Sequence, residues 1–342
     1  MILAALLIIL LPQQGYWFGG EPQEVTVRWP TQGKMPPVDF SWNLMVGNIR
    51  LTGGTLPIRS DADATTFKIT PPKVRTRTTA SIIYRVRQHE GGKELGGGDL
   101  SVQLFPRDML SGLVRRLNGK RLAVWDSSGL LSHVLKSAKV AFVDTKDGSG
   151  LVLTRYDIVL VGGDVLGTSL FAQQPLLDQA RAGASVMVFA QQKSSVDLFG
   201  YALDDRKMPS RLNWRMDHPL FAGFERADLE SWLHDSPDAL ALRLPADEPA
   251  LEIAWWPREV PGTEPVPLDA LVISKSIGAG RIVLCQLPLG DWSTDPRSQL
   301  LLSNAIDYLL TRPEPTLRPS ERPATQPAAI MRDPNRITLP GE

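Results

Sequence analysis

Two kinds of hydrophobic pattern divide this chain. Between Glu24 and Pro106 the apolar residues come in short β-branched or aromatic runs: "EVTVRW", "VDFSWNLMV", "NIRLTGG", "TTFKIT", "ASIIYRVRQ" and "DLSVQLFP". Turns rich in Gly, Pro and Asp separate them at the spacing of a β-sandwich. Ser81–Pro106 reads as a hairpin closed around "HEGGKELGGG". Residues 21–107 are therefore expected to form an all-β, immunoglobulin-like sandwich. Arg75 and Arg77 alternate along one of its runs and read as a solvated face.

After Asn118-Gly119 the pattern changes. "RLAVWD" (Arg121–Asp126), "KVAFVD" (Lys139–Asp144), "YDIVLVGGD" (Tyr156–Asp164) and "SVMVFAQ" (Ser185–Gln191) are continuous apolar runs, as strands buried on both faces require. Helical stretches lie between several of them; "TSLFAQQPLLDQARAGA" ends on Gly183 as a C-cap. The alternation predicts a doubly wound α/β domain over residues 108–312. Within it, Phe199–Pro267 reads as an insertion over the carboxyl edge of the sheet. "LDALVISKSIGAGRIVLCQLPLG" reads as a closing antiparallel hairpin, and "DPRSQLLLSNAIDYLLTR" as an amphipathic helix.

The ends differ from both. Ile2–Leu11 is apolar throughout and too short to span a bilayer, so residues 1–20 read as a signal-like segment, an anchor or a truncated piece. Residues 313–342, rich in proline, read as a disordered tail. The N-terminal segment points to an exported or envelope-associated bacterial protein attached to the membrane through it.

Composition narrows the chemistry. Lys+Arg and Asp+Glu stand at 37 each, which gives no pull toward nucleic acid. The single cysteine, Cys285, lies inside an apolar run and reads as a small buried hydrophobe. His89, His133, His218 and His234 show no zinc-ligand spacing, so no metal is expected. "DADAT" (Asp61–Thr65) lacks the distal Glu of a calcium loop and reads as a turn. Neither GxGxxG nor the Walker pattern is present, and no cofactor is expected.

In the expected topology the strands deliver Asp126, Asp144, Gly162, Gly163, Asp164, Gln191, Gln192, Asp291 and Trp292 to one rim. Converging carboxylates suit acid–base work, whereas Asp at a strand end equally caps the next helix. If the protein is an enzyme, Asp126, Asp164 and His218 are the candidates. Ser194 and Ser195 lack the flanking glycines of a nucleophile elbow. His218, Glu230, Trp232, His234 and Asp235 bring an aromatic face and carboxylates together, a mixture that suits sugars. The candidate binding rim is Gly162, Gly163, Gln191, Gln192, Trp232, Asp291 and Trp292.

Several phrases in order, "YDIVLVGGD", "LDQARAGASVMVFAQQ", "DHPLFAGFERADLESWLHD" and "IGAGRIVLCQLPLGDWSTDPRSQLLLSNAIDYLL", resemble the class I glutamine-amidotransferase-like (flavodoxin-like) domain. The form they resemble lies near the C-terminus of planctomycete-type family 2 glycoside hydrolases. "YWFGGEPQEVTVRWPTQG" and "DFSWNLMVGNIRLTGG" resemble the immunoglobulin-like module before it. The resemblance implies a degenerate domain: Gln191 or Gln192 stands where an amidotransferase places its GxCxG cysteine, and no His-x-Glu follows. The hydrolases' paired carboxylates belong to a barrel that this chain has no room for. The expected function is a non-catalytic accessory protein of the cell envelope, linked to carbohydrate processing, with a polysaccharide or another envelope protein as partner. A hydrolase using the rim and a purely structural component are the alternatives.

Overall fold

A computed structural model describes residues 15–28, 37–58, 64–167, 170–192, 197–204, 212–234, 240–245, 250–255, 268–287 and 292–313. The N-terminal apolar run, Ser194, Ser195, Asp235, Asp291, most of "DADAT" and the proline-rich tail lie outside the described residues.

The first half is a two-layer sandwich. Its strands are β1 (Gly15–Phe18), β2 (Gln23–Arg28), β3 (Val38–Val46), β4 (Ile49–Ile58), β5 (Ala64–Ile69), β6 (Thr78–Gln88) and β7 (Glu94–Phe105). One sheet has the order β1-β7-β6-β3-β4, and β2 pairs with β5 to make the second. The alternation of β3 turns Val38, Phe40, Trp42 and Leu44 inward, where Phe67 of β5 lies 5.4 Å from the rings of both Phe40 and Trp42. Glycines inside strands normally weaken them, but here aromatic rings cover two. Gly54 pairs with Trp42, which pairs with Tyr84, which pairs with Gly98, and a Cβ at Gly54 would meet the Trp42 ring at 3.2 Å.

The second half begins with α1 (Leu113–Arg116), β8 (Leu122–Trp125), α2 (Leu130–Ser137), β9 (Val143–Asp144), α3 (Gly150–Leu153), β10 (Ile158–Val161), α4 (Gln174–Arg181) and β11 (Ser185–Phe189). It continues with β12 (Ala202–Asp204), β13 (Asn213–Trp214), α5 (Arg226–His234), β14 (Ala241–Leu244), β15 (Leu251–Trp255), β16 (Leu268–Ile277), β17 (Gly280–Cys285) and α6 (Pro296–Leu310). Strands β9, β8, β10, β11 and β17 pair in parallel in that order. From β17 the sheet continues antiparallel through β16, β14 and β12, while β15 pairs with β16 and β13.

The expectation of a doubly wound α/β domain behind a sandwich is therefore corrected. Among the described residues strand accounts for 42% and helix for 21%, a mostly β composition with several sheets. The physical reason lies in Phe199–Pro267. This stretch does not merely cover the sheet edge; its described parts contribute β12 to β15 to the sheet itself, as antiparallel strands. A continuous apolar run reports burial on both faces and says nothing about the direction of the neighbouring strand.

Both faces of the large sheet are covered. Leu160, Met187, Val283 and Cys285 pack with α6 in one core, and Val159, Val186, Val188 and Leu284 with α4 in the other. Helix α6 starts with Asp295, whose carboxylate accepts from Arg297 N at 2.8 Å, and Pro296 follows in the first turn. At its far end the buried Arg281 of β17 hydrogen-bonds Thr311 and lies 4.4 Å from the Tyr308 ring. A cation there complements the carboxyl end of the helix.

Candidate functional site

Strands β8, β10, β11 and β17 end together, at Trp125, Val161, Phe189 and Cys285. Asp126 follows β8 and is buried. Its Oδ1 accepts from Ser128 N at 3.2 Å and Ser128 Oγ at 2.6 Å, and its Oδ2 accepts from Ser132 N at 3.1 Å. It thus caps α2 from outside the first turn, where Gly129 at the N-cap has no side chain to do so. Gly162 is required by that carboxylate, because a Cβ there would lie 2.7 Å from Asp126 Oδ1. Gly162→Ala is expected to lower stability by about 1–3 kcal/mol. A thermal melt showing no drop would mean that Asp126 can swing away without losing its bonds.

Gln191, the first of the two glutamines after β11, is wholly buried. Its Oε1 accepts from Leu166 N at 2.8 Å, and its Nε2 donates to Gly162 O at 2.8 Å and Phe189 O at 2.6 Å. Gln286, also wholly buried, accepts from Gln191 N at 3.1 Å. Gln286 was missed by sequence reading, although "CQLP" repeats the arrangement of "FAQQ", an amide ending an apolar run. Gln192 Oε1 accepts from Leu240 N at 3.1 Å. Asp164 has φ 55, and its N–H donates to Ala190 O at 3.0 Å; Gly163 beside it is exposed. Trp292 reaches the rim but is buried edge-on against Phe189 at 5.0 Å.

His218 belongs elsewhere. It caps a short 3-10 turn, Pro219–Phe221, through Nδ1, and its ring meets Tyr308 at 4.6 Å. Tyr308 lies thirteen residues along α6 from Asp295, about 20 Å at helical rise. The three catalytic candidates are therefore split, with Asp126 and Asp164 at the carboxyl rim and His218 far down α6. Burial, together with the charges of Arg215 and Arg281 against that of Asp217, lowers the His218 pKa to about 4. Since the unfolded imidazole titrates near 6.5, its contribution is complete above that pH and is lost as pH falls toward 4. Urea midpoints at pH 7 and pH 4.5 should show His218→Asn sparing about 2 kcal/mol of the acid loss seen in the parent. Equal losses would remove His218 from the account.

Trp232 is buried too, stacked on Phe224 at 6.2 Å, and lies at the junction of the two halves rather than at the rim. There Arg297 sits 5.2 Å from Trp232 and 4.1 Å from the Tyr16 ring of β1, and Tyr16 OH meets Ser231 Oγ at 2.9 Å. Arg77 corrects the solvated-face reading. It donates to both oxygens of the buried Asp228, at 2.6 and 2.9 Å, and to Gly223 O at 3.0 Å. Arg75 is exposed as expected. Beside this junction runs a groove of about 540 Å³, whose walls include Arg107, Asp108, Ser111, His133, Lys139 and Gln299. That volume is in the range of small-molecule sites. No His/Cys/Asp/Glu group among the described residues could hold a metal ion. No described helix is long and apolar enough to cross a membrane.

No protein-family model and no curated protein matches the chain. Among solved structures it is similar to the calcium-binding domain CBD12 of CALX1.1, with 14% identity and a TM-score of 0.23 over 35% of this chain. That match spans about half, 52%, of the calcium-binding structure. Murine CRIg matches at 9% identity and TM-score 0.21, over 29% of this chain and 96% of its own. The CARDB domain of PF1109 from Pyrococcus furiosus, in complex with di-metal ions, matches at 17% and 0.20, over 28% and 89%. Likenesses this slight transfer neither fold nor function.

Proposed function

We propose that this chain is a non-catalytic accessory protein of the bacterial cell envelope, linked to carbohydrate processing, whose second half serves binding or assembly. The observation that carries the reading is the wiring of Gln191. The side chain at a position the resemblance gives to a nucleophile is buried, and its oxygen and nitrogen are spent on three backbone groups, two in the loop after β10 and one at the end of β11. Asp126 is likewise spent on capping α2. The resemblance to the amidotransferase-like region of large glycoside hydrolases supplies the link to carbohydrate.

The test is a paired assay on the purified full chain. Chromogenic glycosides and esters should give no turnover that Asp164→Ala abolishes, and calorimetric titration with plant and bacterial polysaccharides should give heat. Turnover lost in Asp164→Ala would establish the hydrolase alternative instead. Absence of heat with every polysaccharide, together with a copurifying protein, would establish the structural one. Recovery in the envelope fraction of the native cell tests the location independently.

A further inference from the structure

The residue that closes α2 is a lysine in a conformation that suits glycine. Lys139 has φ 60, in the left-handed region. Its N–H bonds Lys136 O at 2.9 Å, and Val140 N bonds Leu135 O at 3.0 Å, the two bonds of a Schellman motif. Helix α4 ends in the same motif: Gly183 has φ 107, its N–H bonds Ala180 O at 2.9 Å, and Ala184 N bonds Gln179 O at 3.0 Å. One chain thus solves one local problem twice, with glycine at Gly183 and with a strained side chain at Lys139. A cation near the carboxyl end of a helix recovers part of the strain, but a left-handed lysine still calls for a second reason.

That reason lies in the junction groove, where Lys139 is part of the wall. Among the described residues no carboxylate lies within ion-pair distance of its ammonium, whereas Arg107 across the groove is held by Glu21 at 3.4 Å and by Ser293 O at 3.1 Å. The remaining walls supply the hydroxyls of Ser111 and Ser137 and the carboxylate of Asp108. Leu110, Val114 and Ala138 are apolar. We propose that this groove binds an acidic oligosaccharide, with Lys139 taking a uronate carboxylate. Sugar hydroxyls then bond Asp108 and the serines, and the apolar face of the ring rests on Val114. Asp108 disfavours a doubly charged phosphate in the same space, which selects an oligosaccharide with a single carboxylate on each sugar. This inference rests on the carbohydrate reading above and names its ligand class.

The test compares trigalacturonate with the neutral cellotriose by calorimetric titration, on the full chain and on Lys139→Gly and Lys139→Arg. Trigalacturonate should bind more tightly than cellotriose, and Lys139→Gly should weaken it about fivefold, the scale of one partly exposed ion pair. Lys139→Gly should also raise the thermal midpoint, since glycine suits the position, and Lys139→Arg should keep most of the affinity. Equal binding of the two sugars, unchanged affinity in Lys139→Gly, or a lowered midpoint would overturn the inference and leave the carbohydrate reading standing. No heat with either sugar also overturns it; the wider reading then stands or falls on the polysaccharide titration and the cell fraction.

Discussion

Arg77→Ala is expected to cost about 3 kcal/mol, the lower end of the range for breaking a buried ion pair. The arginine comes from β6's approach in the sandwich, the carboxylate from α5 in the second half, 151 residues later. Asp228 is 2% exposed, and without Arg77 it keeps a bond from Glu225 N at 2.7 Å and the neighbouring Tyr16 hydroxyl, neither of which carries a positive charge. The substitution therefore leaves a carboxylate in the junction with its charge uncompensated. The Arg77 side chain is 18% exposed, so water enters the vacated space and keeps the cost from the upper end of the range. Arg77→Lys should recover only part of it, because an ammonium cannot fork onto both oxygens. Urea unfolding followed by tryptophan fluorescence reads the effect. A loss below about 1 kcal/mol would class the pair with ordinary surface ion pairs.

Gln191→Ala should cost about 3–5 kcal/mol, the scale of several buried polar groups left without partners. The substitution strips Leu166 N–H, Gly162 O and Phe189 O of a bond each, in a place where the side chain has no exposed surface. Gln191→Glu should be comparably harmful, since a carboxylate cannot donate to the two carbonyls. Denaturant midpoints measure both, and near-neutral values would show that water fills the site and takes over the bonds. A stable, folded Gln191→Ala would also weaken the proposed function, which rests on this side chain being committed to its backbone partners.

Individual strands were legible in the sequence, but the fold class was not. Alternation in "VDFSWNLMV" gave β3 its inward face, and three of the four unbroken apolar runs gave buried strands of the large sheet; the fourth, Lys139–Asp144, gave only the two exposed residues of β9. The direction of those strands was not legible, because burial on both faces looks the same in a parallel and a mixed sheet. Nor was the contribution of Phe199–Pro267 to that sheet, since its strands are short and Pro-rich segments separate them. Of the site, the capping by Asp126 was foreseen as the plain alternative to chemistry, because it depends only on neighbours within six residues. The partners of Arg77, Gln191 and Trp232 were not legible, for one reason. What decides the role of each is a partner far along the chain, such as Asp228, Leu166 N or Arg297. Arginine alternating on a strand has the same sequence signature whether it meets water or a carboxylate.

The wiring of Gln191 also bears on what this loop can become. One amide serves Leu166 N, Gly162 O and Phe189 O together. A cysteine or serine at 191 is too short to serve all three, so a reactive side chain introduced there meets a folding defect before any chemistry can reward it. New chemistry at this rim has to enter at another position.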